Sequence, residues 1–257
     1  MTESLEALGR ALFSAVLSDC LDAAGYRSQA MQARIRPLDD SLVLCGRART
    51  ALYMDVYDAP AGENPYELEI RLVDDLKPGE VPLFACGASG RIAPWGELLS
   101  TAARARGAAG AVMDGLTRDV RVIREMRFPV FAGGIGPLDS KGRGKVMAID
   151  VPVESGGVRV APGDLVFGDA DGVVVVPRAV EGDVVAAALA KVRGENETRA
   201  ALARGEKLAD VFRRHGILSR VRRAARGSAV RSVRKNRSPP PGRSRRARVR
   251  RRAALGR

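Results

Sequence analysis

Scarce residue types exclude several kinds of protein at the outset. The 257 residues include one His and three Cys, and Cys20, Cys45 and Cys86 are widely spaced and form no CxxC pair. They indicate reduced thiols rather than a disulfide framework. No apolar run reaches the roughly 18 residues that a membrane-spanning helix needs. The N-terminal residues are acidic where a signal peptide would be basic, so we expect a cytoplasmic protein without a membrane partner.

The net positive charge of the chain comes entirely from its C-terminal end. The net charge is +13, but residues 220–257 contain 16 of the 43 Lys and Arg and no acidic residue. The remaining 27 basic residues face 30 acidic ones, which leaves residues 1–219 with a net charge of −3. The Arg-rich tail 220–257 includes the run PPP and is expected to be disordered. Nucleic acid is therefore expected as a partner only through this tail, by contact with phosphates.

Apolar periodicity predicts a single α/β domain over residues 1–219. Aromatic residues make up 4% of the chain, so the core must consist mainly of Val, Ala, Leu and Ile. Strands and helices alternate first and short strands then cluster, which favours a parallel βαβ layer joined to a smaller β assembly. The predicted helices are 4–23, 97–107 and 119–126, and helical patterns extend from 179 to about 214. The predicted strands are 81–86, 108–113 and 128–134, with 42–54 as a strand pair or one long strand and shorter runs in 146–153, 157–169 and 172–177.

The stretch DGLTRDV, residues 114–120, follows a buried strand and contains three charged side chains. The predicted helix 97–107 spans roughly 16 Å, and the strand 109–113 returns over about the same distance. The turn at 96–99 and the loop at 114–119 are therefore expected at one edge of the sheet. This is the carboxyl edge of the parallel strands, where open α/β sheets bind their ligands.

The residue types at this edge suit a small 2-oxo acid and a divalent metal ion. Free backbone N–H groups of Leu98 and Leu99 at a helix start suit a carboxylate, and Arg118 suits a carboxylate or an enolate. Asp119 is a hard oxygen ligand for Mg²⁺ or Mn²⁺, and Glu97 suits a proton transfer involving a metal-held water. The plainer alternative is a surface turn with an Arg–Asp ion pair and an acidic helix start.

Several motifs in one order closely resemble the 4-hydroxy-4-methyl-2-oxoglutarate aldolase family, which also contains the regulator of ribonuclease activity A. The similarity covers roughly residues 10–218. It rests on AVLSDCLDAAG, WGELLSTAARARGAAGAVMDGLTRDV, DSKGRGKV, PVESGGVRVAPGDLVFGDADGVVVVP and GENETRAALARGEKLADVFRRHGIL. The resemblance implies a swivelling β/β/α-type single domain, and a homotrimer or homohexamer with active sites between subunits. The basic tail lies outside the family pattern.

The resemblance also implies roles for particular residues. Asp119 would lie at the divalent metal, and Arg118 would contact pyruvate and leaving-group oxygens. The turn that begins at Gly96 would bind substrate, with Leu98 and Leu99 supplying amides to the pyruvate carboxylate.

Acidic residues complete the implied site. Glu97 stands where the family has an acidic residue that holds metal-bound water, in place of a shorter Asp. Glu195, from the C-terminal helix of a neighbouring subunit, is our candidate for a further carboxylate near the metal, with Glu197 as the alternative. Thr117 departs from the aliphatic residue that this loop often carries.

The implied activity is retro-aldol cleavage of a 4-hydroxy-2-oxo diacid to pyruvate and a second oxo acid, with oxaloacetate decarboxylation by the same enolate chemistry. A non-enzymatic binding protein of the ribonuclease-regulator type is the main alternative. A phosphohistidine domain is disfavoured because the one histidine, His215, lies beyond the β region in a terminal helix. A Schiff-base lysine is disfavoured because Lys141 and Lys145 lie in a Gly-rich, solvated loop.

Overall fold

A computed structural model of the chain describes residues 4–215, which form seven helices and ten strands. The predicted boundary at 219 and the tail 220–257 lie outside the described residues. The helices are α1 (Leu5–Ala11), α2 (Ser14–Ala23), α3 (Glu67–Asp74), α4 (Glu97–Ala105), α5 (Val120–Met126), α6 (Glu181–Ala203) and α7 (Leu208–His215). The strands are β1 (Arg36–Pro37), β2 (Leu44–Asp55), β3 (Glu80–Ala85), β4 (Ala111–Thr117), β5 (Val130–Ile135), β6 (Gly144–Ile149), β7 (Val153–Ser155), β8 (Val158–Val160), β9 (Leu165–Asp169) and β10 (Gly172–Val176).

One mixed sheet organises the described chain. Its strand order is β1-β5-β4-β3-β2-β9-β10, and β6 also pairs with β2. Strands β2, β3, β4 and β5 are mutually parallel, as predicted, whereas β6 and β9 pair with β2 antiparallel. The prediction of a smaller β assembly joined to the parallel layer is therefore largely wrong, because β6, β9 and β10 belong to the main sheet and, in the described residues, only the β7–β8 hairpin forms a sheet of its own.

The segment that precedes β1 brings the two edges of this sheet together. The N–H of Met31 donates to the carbonyl of Val173 at 2.9 Å, and the N–H of Val175 donates to the carbonyl of Gln29 at 2.9 Å. The same segment then pairs with β5 through β1. These bonds satisfy edge groups that would otherwise be open to another chain, so the sheet is nearly closed.

The predicted N-terminal helix 4–23 is in fact two helices. Leu12 and Phe13 are extended between α1 and α2, and the carboxylate of Asp169 then accepts hydrogen bonds from the N–H of Ser14 at 2.8 Å and its hydroxyl at 2.6 Å. A residue 155 positions away thus accepts the N–H of the first residue of α2, which has no partner within the helix. Apolar spacing continues across the break, which is why periodicity alone predicted one helix.

The strand before the candidate site is longer than predicted. Strand β4 runs to Thr117, so Asp114 belongs to the strand and not to the following loop. Its buried carboxylate accepts hydrogen bonds from the N–H of Cys86 at 2.5 Å and of Gly156 at 3.2 Å. A buried carboxylate is tolerated when its oxygens are satisfied in this way, and the loop therefore begins at Arg118.

Helix α3 has no counterpart among the predictions. Its buried residues are Glu69, Leu72 and Val73. Because one of these three core positions is a glutamate, the apolar periodicity that predicts an amphipathic helix is interrupted. Among the helices of residues 4–215, none combines the length and the apolar character that a membrane crossing requires.

Candidate functional site

The end of β4 and the start of α4 meet at the carboxyl edge of the sheet, as predicted. The carbonyl of Trp95 accepts hydrogen bonds from the N–H of Arg118 at 2.9 Å and from the hydroxyl of Thr117 at 3.0 Å. The N–H of Glu97 donates to Oδ2 of Asp119 at 3.1 Å. Thr117, the departure from the family pattern, thus joins the two segments through its side chain.

Asp119 adopts a strained backbone conformation that turns its carboxylate toward α4. Its φ and ψ are 57° and 29°, the left-handed region that costs a non-glycine residue on the order of 1 kcal/mol or more. Although Asp119 precedes α5, its side chain makes no cap hydrogen bond to that helix. A Cβ on Gly96 would lie 2.4 Å from Oδ2 of Asp119, so glycine is required for this close approach.

The first turn of α4 presents unused hydrogen-bond donors. Among the hydrogen bonds of residues 4–215, none satisfies the N–H of Leu98 or Leu99. The Leu98 side chain is 77% exposed, and Glu97 accepts a hydrogen bond from the hydroxyl of Thr101 at 3.0 Å through Oε1. A helix start with free N–H groups favours an anionic ligand group.

Two carboxylates flank the guanidinium of Arg118. Its Nε lies 3.8 Å from Oδ2 of Asp119, and its Nη1 lies 3.3 Å from Oδ1 of Asp139. The hydroxyl of Tyr66 donates to the other oxygen of Asp139 at 2.7 Å. Because more than a third of each ion-pair side chain is exposed, these pairs contribute little to stability and matter more for the orientation of Arg118.

Asp139 and Tyr66 affect each other's ionisation. Burial raises the pKa of Tyr66 to about 12, and the hydrogen bond to Asp139 acts in the same direction. Partial burial alone would raise the pKa of Asp139, but the hydrogen bond from Tyr66 and the charge of Arg118 outweigh it and leave the pKa lowered. Asp139 therefore remains a carboxylate beside Arg118 at neutral pH.

A buried carboxyl group lies on α3, the helix that begins directly after Tyr66. Glu69 of α3 is 5% exposed, and the hydroxyl of Tyr53 donates to it. Burial raises the pKa of Glu69 from 4.5 to about 7, although the bond from Tyr53 opposes the rise. Sequence reasoning missed Glu69, Tyr53, Tyr66 and Asp139 because they come from three separate segments, of which only the motif DSKGRGKV, with Asp139, was singled out.

Stability as a function of pH tests the buried state of Glu69. Since its pKa is higher in the folded protein than in the unfolded chain, its contribution is fully present below about pH 4.5 and is lost as the pH rises through about 7. Glu69→Gln should remove this loss, which is on the order of a few kcal/mol. Urea unfolding of both proteins from about pH 4.5 to 8 measures the difference. Parallel pH profiles for the two proteins would contradict the buried acid.

The donors of one chain fit a divalent cation only in part. Within residues 4–215, no three His, Cys, Asp or Glu side chains form a group able to hold a metal ion by themselves. Asp119 is nevertheless a hard oxygen donor, its carboxylate is 46% exposed, and its Oδ1 accepts no hydrogen bond from a described residue. Mg²⁺ commonly takes one or two carboxylates and keeps several waters, so Asp119 suits this ion as a single protein ligand.

The other predicted carboxylates lie on α6. Glu195 is 3.8 Å from Lys191, which also pairs with Asp19 of α2, and Glu197 is exposed. No hydrogen bond or ion pair among residues 4–215 joins either glutamate to Arg118 or Asp119. A single chain therefore does not assemble the full predicted set.

Two other groups lie apart from this edge. Lys145 forms an ion pair with Glu63, and His215 ends α7. A cavity of about 340 Å³ between residues 56–65 and the loop at Gly142 and Lys145 contains none of the predicted site residues. Its charged lining residues are Asp58, Glu63 and Lys145, and the last two pair with each other. The free N–H groups of α4 and the exposed carboxylate of Asp119 lie instead beside Arg118, and we place the candidate site there.

Comparison with known proteins places the chain in a family. The RraA-like family, described as Aldolase/RraA, matches residues 14–175. A Halalkalibacterium halodurans protein named "Putative 4-hydroxy-4-methyl-2-oxoglutarate aldolase" is 32% identical over 190 residues, which cover 74% of this chain and 84% of that protein.

Solved structures show the same fold. RraAS2 of Streptomyces coelicolor, described as an unusual member of the RNase ES inhibitor RraA protein family, superposes with a TM-score of 0.66 at 28% identity. That match covers 77% of this chain and 98% of RraAS2. An uncharacterized protein of Pseudomonas syringae gives a TM-score of 0.69 at 26% identity over 82% of this chain and 99% of that one. The expected swivelling α/β fold is confirmed, and the chain belongs to the RraA-like (Aldolase/RraA) family.

Proposed function

We propose that the protein is a divalent-metal-dependent lyase that cleaves 4-hydroxy-4-methyl-2-oxoglutarate, or a similar 4-hydroxy-2-oxo acid, to pyruvate and a second oxo acid. Decarboxylation of oxaloacetate is proposed as a second activity of the same site. The observation that carries this proposal is the placement of Arg118 and Asp119 against the free N–H groups at the start of α4. The name of the similar Halalkalibacterium halodurans protein supports the substrate class.

The chain's own groups suggest how the substrate is held. The N–H groups of Leu98 and Leu99 would bind the carboxylate next to the 2-oxo group, at the positive end of α4. Arg118 would donate to the 2-oxo oxygen, where negative charge develops, and to oxygens of the leaving group. Such donors matter most when they are already oriented in the resting protein, and Arg118 is flanked by two carboxylates.

The proposed reaction breaks one carbon–carbon bond and moves one proton. Loss of the proton from the C4 hydroxyl forms the new carbonyl, and the electrons of the C3–C4 bond pass to the 2-oxo oxygen as an enolate. Proton return to C3 then yields pyruvate, and Glu97 is our candidate to hold the water that carries the proton. A divalent ion bound at Asp119 would supply Lewis-acid stabilisation worth several kcal/mol.

A second copy of the chain would complete the site. We propose a homotrimer or homohexamer in which Glu195, with Glu197 as the alternative, approaches the metal from a neighbouring subunit. The carboxylate of Asp119 is 46% exposed, so it is accessible to a residue of another subunit. A cytoplasmic location, and nucleic-acid contact through residues 220–257, remain predictions.

Pyruvate release under metal control tests the proposal. We expect release from 4-hydroxy-4-methyl-2-oxoglutarate and from oxaloacetate with Mg²⁺ or Mn²⁺, and loss of that release on addition of EDTA, because the enolate charge would be left without its Lewis acid. Restoring the metal should restore the rate. Chelator-resistant release would contradict metal dependence, and no release from folded, metal-supplied protein would contradict the proposed reaction for these substrates.

A ribonuclease-regulator function is the second candidate, and the likeness to Streptomyces coelicolor RraAS2 favours it. This function would act through a protein surface and has no evident need for Arg118 or a metal. Inhibition of a ribonuclease that persists in EDTA and in Arg118→Ala, without pyruvate release, would support it over the lyase.

A further inference from the structure

The guanidinium of Arg118 is contacted by Asp139, which the proposed reaction does not itself use. We propose that Asp139, held in place by Tyr66, is a positioning residue that fixes the guanidinium of Arg118 for catalysis. This inference rests on the proposed function, because it concerns the same site. It gives a role to Asp139, the first residue of DSKGRG, and to Tyr66, the N-cap residue of α3.

The geometry shows how Asp139 restrains Arg118. Oδ1 of Asp139 lies 3.3 Å from Nη1, while Asp119 lies on the Nε side. The guanidinium is planar, so contacts on two of its nitrogens define its orientation. Among the hydrogen bonds of residues 4–215, none uses Nη2 of Arg118, which leaves that nitrogen available to a substrate oxygen.

Asp139 is itself held from two directions. Oδ2 accepts the hydroxyl of Tyr66 at 2.7 Å, and the backbone carbonyl of Asp139 accepts a hydrogen bond from Nη1 of Arg143 at 3.1 Å. The loop that follows is closed by hydrogen bonds from the N–H groups of Arg143 and Gly144 to the carbonyl of Ser140, both at 2.8 Å. Asp139 therefore directly precedes a hydrogen-bonded turn.

The buried layer beneath the turn limits its movement further. Ser140, the residue after Asp139, is 3% exposed, and its carbonyl accepts the two hydrogen bonds that close the turn. Tyr66, which holds Asp139, is the N-cap residue of α3. A shift of Asp139 would therefore break its hydrogen bond to the start of α3 and disturb a buried residue.

Kinetics of matched variants tests the inference. Asp139→Asn removes the charge at constant size and should lower kcat by about 10-fold or more with little change in KM, since small misplacements of a catalytic group are costly. Asp139→Glu should recover part of the rate, and Tyr66→Phe should lower kcat several-fold. Tyr57→Phe is the matched control, because the Tyr57 side chain is 83% exposed and stacks on Arg91.

Dependence on Arg118 separates positioning from a general structural effect. In an Arg118→Ala background, Asp139→Asn should change the residual rate less than 2-fold, because a residue that acts through Arg118 has nothing left to position. Unchanged kcat in Asp139→Asn, or an undiminished effect in the Arg118→Ala background, would overturn the inference. Thermal unfolding of each variant, with the wild type alongside, shows whether a loss of rate reflects a loss of folded protein.

A chemical readout works even without turnover. Phenylglyoxal adds to two nitrogens of one guanidinium group, so a carboxylate that holds Nη1 of Arg118 slows labelling, which peptide mass spectrometry measures at that residue. We expect labelling several-fold faster in Asp139→Asn and Tyr66→Phe than in the wild type or Tyr57→Phe. Equal rates in all four proteins would overturn the inference. An inactive wild type with this labelling pattern would remove the proposed reaction while supporting the restraint on Arg118.

Discussion

Replacing Arg118 by alanine should lower kcat for pyruvate release by about 10²–10³-fold while the protein stays folded. The loss of one oriented donor at a developing oxyanion has an effect of this size in other enzymes. Arg118 is 38% exposed, and its ion pairs are open to solvent, so its removal should change stability by less than about 1 kcal/mol. Steady-state kinetics with 4-hydroxy-4-methyl-2-oxoglutarate and Mg²⁺, together with urea unfolding, measure both effects.

A neighbouring arginine provides the control for this prediction. Arg121 lies on the first turn of α5, is exposed, and makes no hydrogen bond or ion pair with another residue in the range 4–215. Arg121→Ala should therefore have wild-type kinetics. Near-normal turnover in Arg118→Ala would remove the proposed mechanism, and equal losses in the two variants would indicate a general effect of positive charge at this edge.

The meeting of α4 with the end of β4 was predictable because it depends on local geometry. A helix of known rise and a strand of known rise connect the two segments directly, so their lengths fix where the chain returns. The Trp95–Arg118 and Glu97–Asp119 hydrogen bonds occur at that return. Parallel pairing of β3, β4 and β5 followed from the same alternation of elements.

The contacts from Tyr66 to Asp139 and from Asp139 to Arg118 were not predictable in the same way. Tyr66 and Asp139 are 73 positions apart in sequence, and no periodicity or spacing rule joins them. Glu69 lies in a segment for which no element was predicted, and it is buried against Tyr53. Such contacts depend on how α3 packs on the sheet, and that packing is a property of the whole core rather than of one segment.

Asp114 shows how one motif can carry two different kinds of residue. Asp114 and Asp119 are both carboxylates of the stretch DGLTRDV, and the spacing alone placed both in the loop. Asp114 is 4% exposed and satisfied by backbone N–H groups, so its role is structural. Asp119 is 46% exposed with one oxygen free of hydrogen bonds from described residues, and it alone is open to a ligand.

Replacing Asp119 by asparagine should abolish metal-dependent pyruvate release, a loss of at least about 10²-fold, without unfolding the protein. Asparagine tolerates the left-handed backbone at this position better than alanine does. Its carbonyl oxygen can still accept the N–H of Glu97, so the variant tests the charge and not the backbone. A neutral amide is a much weaker ligand for a hard divalent cation than a carboxylate. Activity is measured against Mn²⁺ concentration, and Mn²⁺ binding is measured directly by electron paramagnetic resonance.

Asp183 is the matched control for Asp119, because it is an exposed acidic residue in the first turn of another helix, α6. Asp183→Asn should retain the wild-type rate and the wild-type Mn²⁺ affinity. If Asp119→Asn also retained both, the metal would be bound elsewhere and the proposed site would be wrong. If it retained Mn²⁺ binding but lost turnover, Asp119 would act on the substrate or on Arg118 rather than as the ligand. The paired measurements of binding and rate therefore separate the two roles that the position of Asp119, between α4 and Arg118, permits.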